Sequence, residues 1–302
     1  MASNDPVIIE VAINGTTTKD RNPHSPCNPA EVAEVAIACL DAGASMIHSH
    51  ISGMGTAGRE AAEEYAAGWR PVRARHPDAI VYPTVVLSDD PEVRFGHLPF
   101  LAEMGIGDMA VLDPGSVNFS YGDEDGLPGK DYVYVNSYSS IRFAFERMEK
   151  LGLGPSLALY DPSFARSVIA WHRAGRLPRG TFVKFYFGGD HNFITGERGG
   201  PSFGLPPTPK ALDAYLEMFE GIDIPWATAL LGGDAVASGI TRYGVDRGGH
   251  IRIGLEDYCG DGQPSNLDLI DAAVKICREV GRPIATQEQA RAIVGLRSPA
   301  MA

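Results

Sequence analysis

The stretch PAEVAEVAIACLDAGASMIHSHI, residues 29–51, changes periodicity at one glycine. Up to residue 42 its apolar residues recur at helical spacing. Asn28 stands before Pro29 as an N-cap followed by proline at the first helical position, and Gly43 ends the helix. Residues 45–51 then read as a strand, as does VIIEVAI at residues 7–13. Strand, helix and strand in that order make a βαβ unit with parallel strands.

The same alternation continues along the chain. Further strands are predicted at residues 79–86 (interrupted by Pro83), 109–112, 156–160, 182–187, 226–231 and 250–255. Helices are predicted at residues 139–150, 210–219, 267–280 and 287–294. Eight such units in 302 residues predict an α/β fold, a (β/α)8 TIM barrel forming a single domain over residues 1–302. A doubly wound sheet is the alternative. No GxGxxG follows the first strand, which argues against a dinucleotide site.

Composition narrows the function. A net charge of −12 disfavours a nucleic-acid surface. No apolar run approaches the roughly 18 residues of a membrane span, and the N-terminal MASNDPVIIEVAING lacks the pattern of a signal peptide. Cys27, Cys39, Cys259 and Cys277 form no CxxC pair and read as free thiols of a cytoplasmic protein.

In a barrel the chemistry gathers at the C-terminal ends of the strands. His48 and His50 fall there and, two residues apart on a strand, face the same way. In GGHIRIGLED, residues 248–257, parity puts His250, Arg252, Gly254 and Glu256 on one face, while Asp257 lies where the chain turns away. An inward arginine needs a carboxylate or an anionic substrate. Glu256 offers the third ligand of a His2Glu metal site; solvated carboxylates paired with Arg252 are the alternative reading. Parity also places Tyr82 and Thr84 together on the third strand, Glu10 and Asn14 on the first, and Lys184 and Tyr186 on the sixth. Glu10 and Lys184, both mid-strand, read as an ion pair inside the barrel. Two long segments, residues 113–137 and 188–207, read as binding loops or lids. They contribute Asp113, Ser116 and Asn118, and Gly188, Gly189 and His191.

INGTTTK (residues 13–19), the stretch at 28–51, LDPGSVNF (112–119), GGHIRIGLED and EVGRPIATQEQARAIVGL (279–296) together resemble the β-keto acid cleavage enzymes, which include the 3-keto-5-aminohexanoate cleavage enzyme. The resemblance runs in order over essentially the whole chain. It implies a TIM barrel with Zn2+ held by His48, His50 and Glu256, and condensation of a β-keto acid with acetyl-CoA to give acetoacetate and a new acyl-CoA. Asp257 would be the general base, Arg252 its partner, and Thr84 would stand where the family has an assisting serine. A homo-oligomer, with a tetramer favoured, is implied as well.

The departures concern the pocket for the variable end of the substrate. Ser52 and Gly53 stand where the family often has Arg or Asp. Ala158 replaces a frequent glutamate, Val111 a hydroxyl residue and Asp113 an asparagine; Gly233 and Asp234 replace Gly-Arg. An acidic lining from Asp113 and Asp234 suits a cationic or polar substrate better than a diacid. A zinc hydrolase or decarboxylase on the same barrel, or an inactive metal-binding relative, are the competing readings.

Overall fold

The computed structural model describes residues 5–297, except 54, 120–122, 126, 128, 130, 131 and 200–202. The predicted strands are present as β1 (Ile9–Ala12), β2 (Met46–Ser49), β3 (Ile80–Pro83) and β4 (Met109–Leu112), then, after a hairpin of β5 (Val117–Phe119) and β6 (Tyr132–Tyr134), as β7 (Gly154–Leu159), β8 (Phe182–Gly188), β9 (Trp226–Leu231) and β10 (His250–Ile253). Pro83 is the last residue of β3, where its missing N–H ends the ladder. Eight strands form one parallel sheet in the order β3-β2-β1-β10-β9-β8-β7-β4. The two ends of that order meet through Asp108. Its N–H donates to the Val81 carbonyl at 3.1 Å and its carboxylate accepts from the Val81 N–H at 2.9 Å. The result is a (β/α)8 barrel.

The intervening helices are α1 (Pro29–Asp41), α2 (Gly58–Arg75), α3 (Pro91–Arg94), α4 (Leu98–Glu103), α5 (Tyr138–Leu151), α6 (Pro162–Arg173), α7 (Pro209–Met218), α8 (Ile240–Asp246), α9 (Asn266–Val280) and α10 (Gln287–Val294). Their termini follow from local chemistry. Asn28 caps α1 by accepting from the Glu31 N–H, with Pro29 in the first turn. Ser265 with Asp268, and Thr286 with Gln289, form capping boxes on α9 and α10. Among the described residues, no helix is long and apolar enough to cross a membrane.

Inward side chains of the strands fill the barrel. Met46, Ile80, Met109, Phe182 and Ala227 pack at the bottom against Ala290 and Val294 of α10. Above them the interior turns polar. Glu10 is in register with Arg252 and Ala158 with Lys184, and Glu10, Lys184 and Arg252 are all buried. The mouth lies above this charged layer.

Candidate active site

The charged layer is a closed network built around the Tyr82 hydroxyl. That group donates to Glu10 Oε1 and accepts from Lys184 Nζ and from Arg252 Nη1, each at 3.1 Å. Arg252 Nη1 also meets Glu10 Oε1 at 2.5 Å, and Lys184 Nζ stands 3.7 Å from the same oxygen. The expected Glu10–Lys184 pair is therefore present, with Arg252 as a second cation on one carboxylate. Burial opposes charge on Glu10, but Lys184 and Arg252 outweigh it and hold the carboxyl below its usual range.

Arg252 reaches upward with its remaining edge. Its Nε donates to Asp257 Oδ2 at 2.8 Å and its Nη2 to Oδ1 at 3.4 Å, the two-pronged grip that a guanidinium makes on a carboxylate. Nη2 also lies 3.2 Å from Glu256 Oε2. Burial pushes the Asp257 carboxyl up to about 6 even though Arg252 works against the shift. Period two could not fix the direction of Asp257. The turn after β10 does, by folding Asp257 back so that its N–H bonds the Gly254 carbonyl at 3.3 Å.

Three side chains converge above this pair. Glu256 Oε2 lies 3.2 Å from His48 Nε2, and Oε1 lies 3.3 Å from His50 Nε2. One ligand atom from each of the three residues fits within 4.8 Å of the others. His48 Nδ1 faces the Tyr82 carbonyl at 3.3 Å, so a proton there leaves the Nε2 lone pair directed at Glu256. Burial pulls the His48 imidazole down to about 4, which keeps it neutral and able to ligate. Among the described residues, both ring nitrogens of His50 and Glu256 Oε2 are buried with no hydrogen bond of proper geometry, only the close ion-pair contacts above. Open nitrogens on the His50 imidazole and an open oxygen on Glu256, beside the Nε2 of His48, fit a metal cation.

The backbone holds the triad in place. The Glu256 N–H donates to the Ala12 carbonyl at 3.2 Å, and Thr17 Oγ1 donates to the Leu255 carbonyl at 2.7 Å. Gly254, at φ +137°, brings its Cα so close to β1 that a Cβ would sit 2.1 Å from the Ala12 oxygen.

The structure distributes the other predicted residues unevenly. Thr84 and Asp113 line the cavity beside His48, His50, Arg252, Glu256 and Asp257; the Thr84 N–H bonds the Tyr65 hydroxyl at 3.2 Å. Asn14 is turned to the backbone instead. Its amide accepts from the His50 N–H at 2.8 Å and donates to the His50 carbonyl at 3.1 Å, clamping the ligand-bearing residue. Ser116 is paired with the Asn136 backbone, and Asn118 is exposed on the β5–β6 hairpin. Gly189 lets the ends of β8 and β9 close together, since a Cβ there would meet the Gly232 oxygen at 2.1 Å, and the Gly188 N–H bonds the Leu205 carbonyl at 3.1 Å. Asp234 accepts from the Val236 and Ala237 N–H groups in its own turn. His191 bridges to Arg198, while the neighbouring Phe193 and Ile194 reach the cavity. Ser52 bonds Glu64 on α2.

Parity placed Tyr186 on the inward face with Lys184, but sequence reasoning missed the rest of the aromatic wall. Phe119, Tyr132, Tyr134, Tyr160, Tyr186 and Phe193 all line the cavity. The alternation in YVYVNS, residues 132–137, was the available signal for the hairpin that carries two of them.

Comparison with known proteins gives the family. The family model for the beta-keto acid cleavage enzyme matches residues 6–296. The 3-oxoadipate:acetyl-CoA acetyltransferase of Cupriavidus necator is 29% identical over 97% of this chain and 96% of its own length. The 3-keto-5-aminohexanoate cleavage enzyme of Acetoanaerobium sticklandii is 28% identical over 96% of this chain and 98% of its own. Among solved structures, ObcA in binary complex with oxaloacetate superposes with a TM-score of 0.67 at 18% identity, covering 91% of this chain and 68% of that one, a likeness of fold. With the barrel, the converging His-His-Glu group and a match over nearly every described residue, the chain belongs to the beta-keto acid cleavage enzyme family.

Proposed function

We propose that this chain catalyses acetyl-CoA-dependent cleavage of a β-keto acid, with a divalent cation, zinc, held by His48, His50 and Glu256. The observation that carries the reading is the placement of Asp257 against Arg252 immediately beside that triad. When bound, zinc supplies Lewis acidity toward the keto and carboxylate oxygens of the substrate, which lowers the pKa of the carbon between them.

Asp257 removes a proton from that carbon. Its carboxyl, pushed up to about 6, is ionised at neutral pH yet basic enough to take the proton. Arg252 fixes both carboxylate oxygens and balances the negative charge that the reaction spreads over the site. Thr84, which lines the same cavity, assists Asp257 in this reading. The carbanion attacks the acetyl carbonyl of acetyl-CoA, a carbon–carbon bond forms, and the CoA thiolate leaves. The thiolate then attacks the original keto carbonyl. The bond from that carbonyl to the former α-carbon breaks, and the electron pair on that carbon takes back the proton from Asp257. Acetoacetate and a new acyl-CoA are the products.

The β-keto acid and acetyl-CoA are the partners this reading requires. One domain, a cytoplasmic location and a homotetramer complete it; the exposed Tyr132, Val133, Val135 and Tyr138 around the hairpin support association with another copy.

The test is a panel of β-keto acids incubated with acetyl-CoA, with acetoacetate as the readout. His48→Ala is expected to lose both metal and turnover. Full activity in metal-stripped protein would refute the metal assignment. Turnover without any CoA ester would instead identify a hydrolase or decarboxylase on the same triad.

A further inference from the structure

The cavity extends past the reaction centre to a wall formed by the ends of β4 and β7 and by the β5–β6 hairpin. Asp113 sits in that wall, one residue beyond the Leu112–Leu157 pairing and therefore beside Ala158. It is only 5% exposed. Its Oδ2 accepts from the Tyr134 hydroxyl at 2.6 Å, while its Oδ1 is buried with no hydrogen-bond partner among the described residues. A buried carboxylate oxygen without a partner, on a side chain that lines a cavity, is costly unless something arrives to meet it.

What arrives is constrained by the neighbours. Phe119, Tyr134 and Tyr160 line the same region, with centroids 5.8 Å apart for Phe119–Tyr134, 5.2 Å for Phe119–Tyr160 and 6.5 Å for Tyr134–Tyr160. Aromatic faces together with one carboxylate suit a cation. Among the described residues, a second carboxylate on the substrate would find no available partner here. Lys184 is engaged by Glu10, Ser156 and Tyr82, and Arg252 by Glu10, Glu256 and Asp257. Arg94, 5.8 Å from the Tyr134 centroid, is outside the cavity wall and donates to Ser88, Val135 and Asn136.

We infer that the β-keto acid taken by this chain carries a cationic nitrogen at its variable end, seated between Asp113 and the Phe119, Tyr134 and Tyr160 rings. This rests on the function proposed above and narrows it to a substrate class. A primary ammonium group would donate to Oδ1; a quaternary ammonium group would use the rings and the charge alone.

The test uses four 3-oxo acids of equal chain length, ending in trimethylammonium, ammonium, tert-butyl or carboxylate. Binding to the zinc-loaded protein is measured calorimetrically without acetyl-CoA, and turnover is measured separately with it. At least one ammonium acid is expected to bind about tenfold or more tightly than the tert-butyl isostere and the carboxylate acid. Which of the two does so identifies the kind of nitrogen. In Asp113→Asn the ratio of cation to isostere should collapse toward one. Tighter binding of the tert-butyl or carboxylate acid by the unmodified protein, or no binding of either ammonium acid, overturns the inference. Binding in the expected order without acetyl-CoA-dependent turnover would leave the tail assignment standing and count against the proposed reaction.

Discussion

Gly15 joins the two ends of the chain at the site. It lies at φ +58°, and a Cβ there would stand 2.3 Å from Glu256 Cγ and 2.7 Å from its Cβ. Gly15→Ala therefore meets two penalties: a left-handed backbone that costs an L-residue about 1–2 kcal/mol, and a clash with the stem of a proposed ligand. The Glu256 side chain is the part that can move, so the triad should open while the barrel survives. Metal content by elemental analysis and kcat/KM should each fall by about tenfold or more, with an unchanged circular dichroism spectrum; full metal occupancy would show that Glu256 tolerates the shift. In the sequence, Gly15 reads only as a turn residue, because the side chain that requires the space lies far along the chain. Asn14 escaped for a related reason. Parity placed it near the mouth, but nothing local shows that its amide is spent on the backbone of His50.

Individual elements carry the loops that shape the cavity. Arg21, between β1 and α1, donates from Nη1 to the Phe193 and Ile194 carbonyls at 2.5 and 3.2 Å, and from Nη2 to the Tyr258 carbonyl at 3.0 Å. It ties the loop after β8 to the loop after β10, and Phe193 and Ile194 are in the cavity wall. Arg21→Ala should loosen that wall without touching Asp257. KM should rise by about tenfold with a smaller change in kcat, and amide exchange over residues 190–199 should quicken; an unchanged exchange pattern would mean that the loop holds itself. The strands were far more legible than these loops. Strict alternation put Glu10, Tyr82, Lys184 and Arg252 inside the barrel from sequence alone, since a parallel strand has only two faces. What alternation could not supply was the hub. A tyrosine on a buried strand reads as core, and only the closed barrel brings its hydroxyl to two cations and a carboxylate. The β5–β6 hairpin was read as loop, because Gly, Asp and Ser around it masked two strands of three residues each.

At the scale of the whole molecule, burying so many ionisable groups makes stability depend on pH, and the sign follows from which state binds protons more tightly. Burial holds His48 and His97 down to about 4 and His250 down to about 3. Unfolded, each has an ordinary pKa near 6.5 and takes a proton as pH falls below that value, which favours the unfolded chain. Asp113 and Asp257 act oppositely. Burial raises both to about 6, so between about pH 6 and pH 4 the folded protein holds two protons that the unfolded chain lacks. The stability these aspartates contribute is fully present at low pH and lost as pH rises through about 6. Three histidines against two aspartates leave the unfolded state binding one more proton over this window. Metal-free protein should therefore lose about 1.4 kcal/mol per pH unit between pH 6 and pH 4. Below about 4.5 the slope should steepen, because Glu10 and Glu256, held below their usual range in the fold, bind protons first in the unfolded chain. Urea midpoints at pH 7, 6, 5 and 4 measure this. Asp113→Asn removes one opposing carboxyl and should roughly double the slope between pH 6 and 4; an unaltered slope in that variant would mean that Asp113 stays ionised in the folded protein throughout the window.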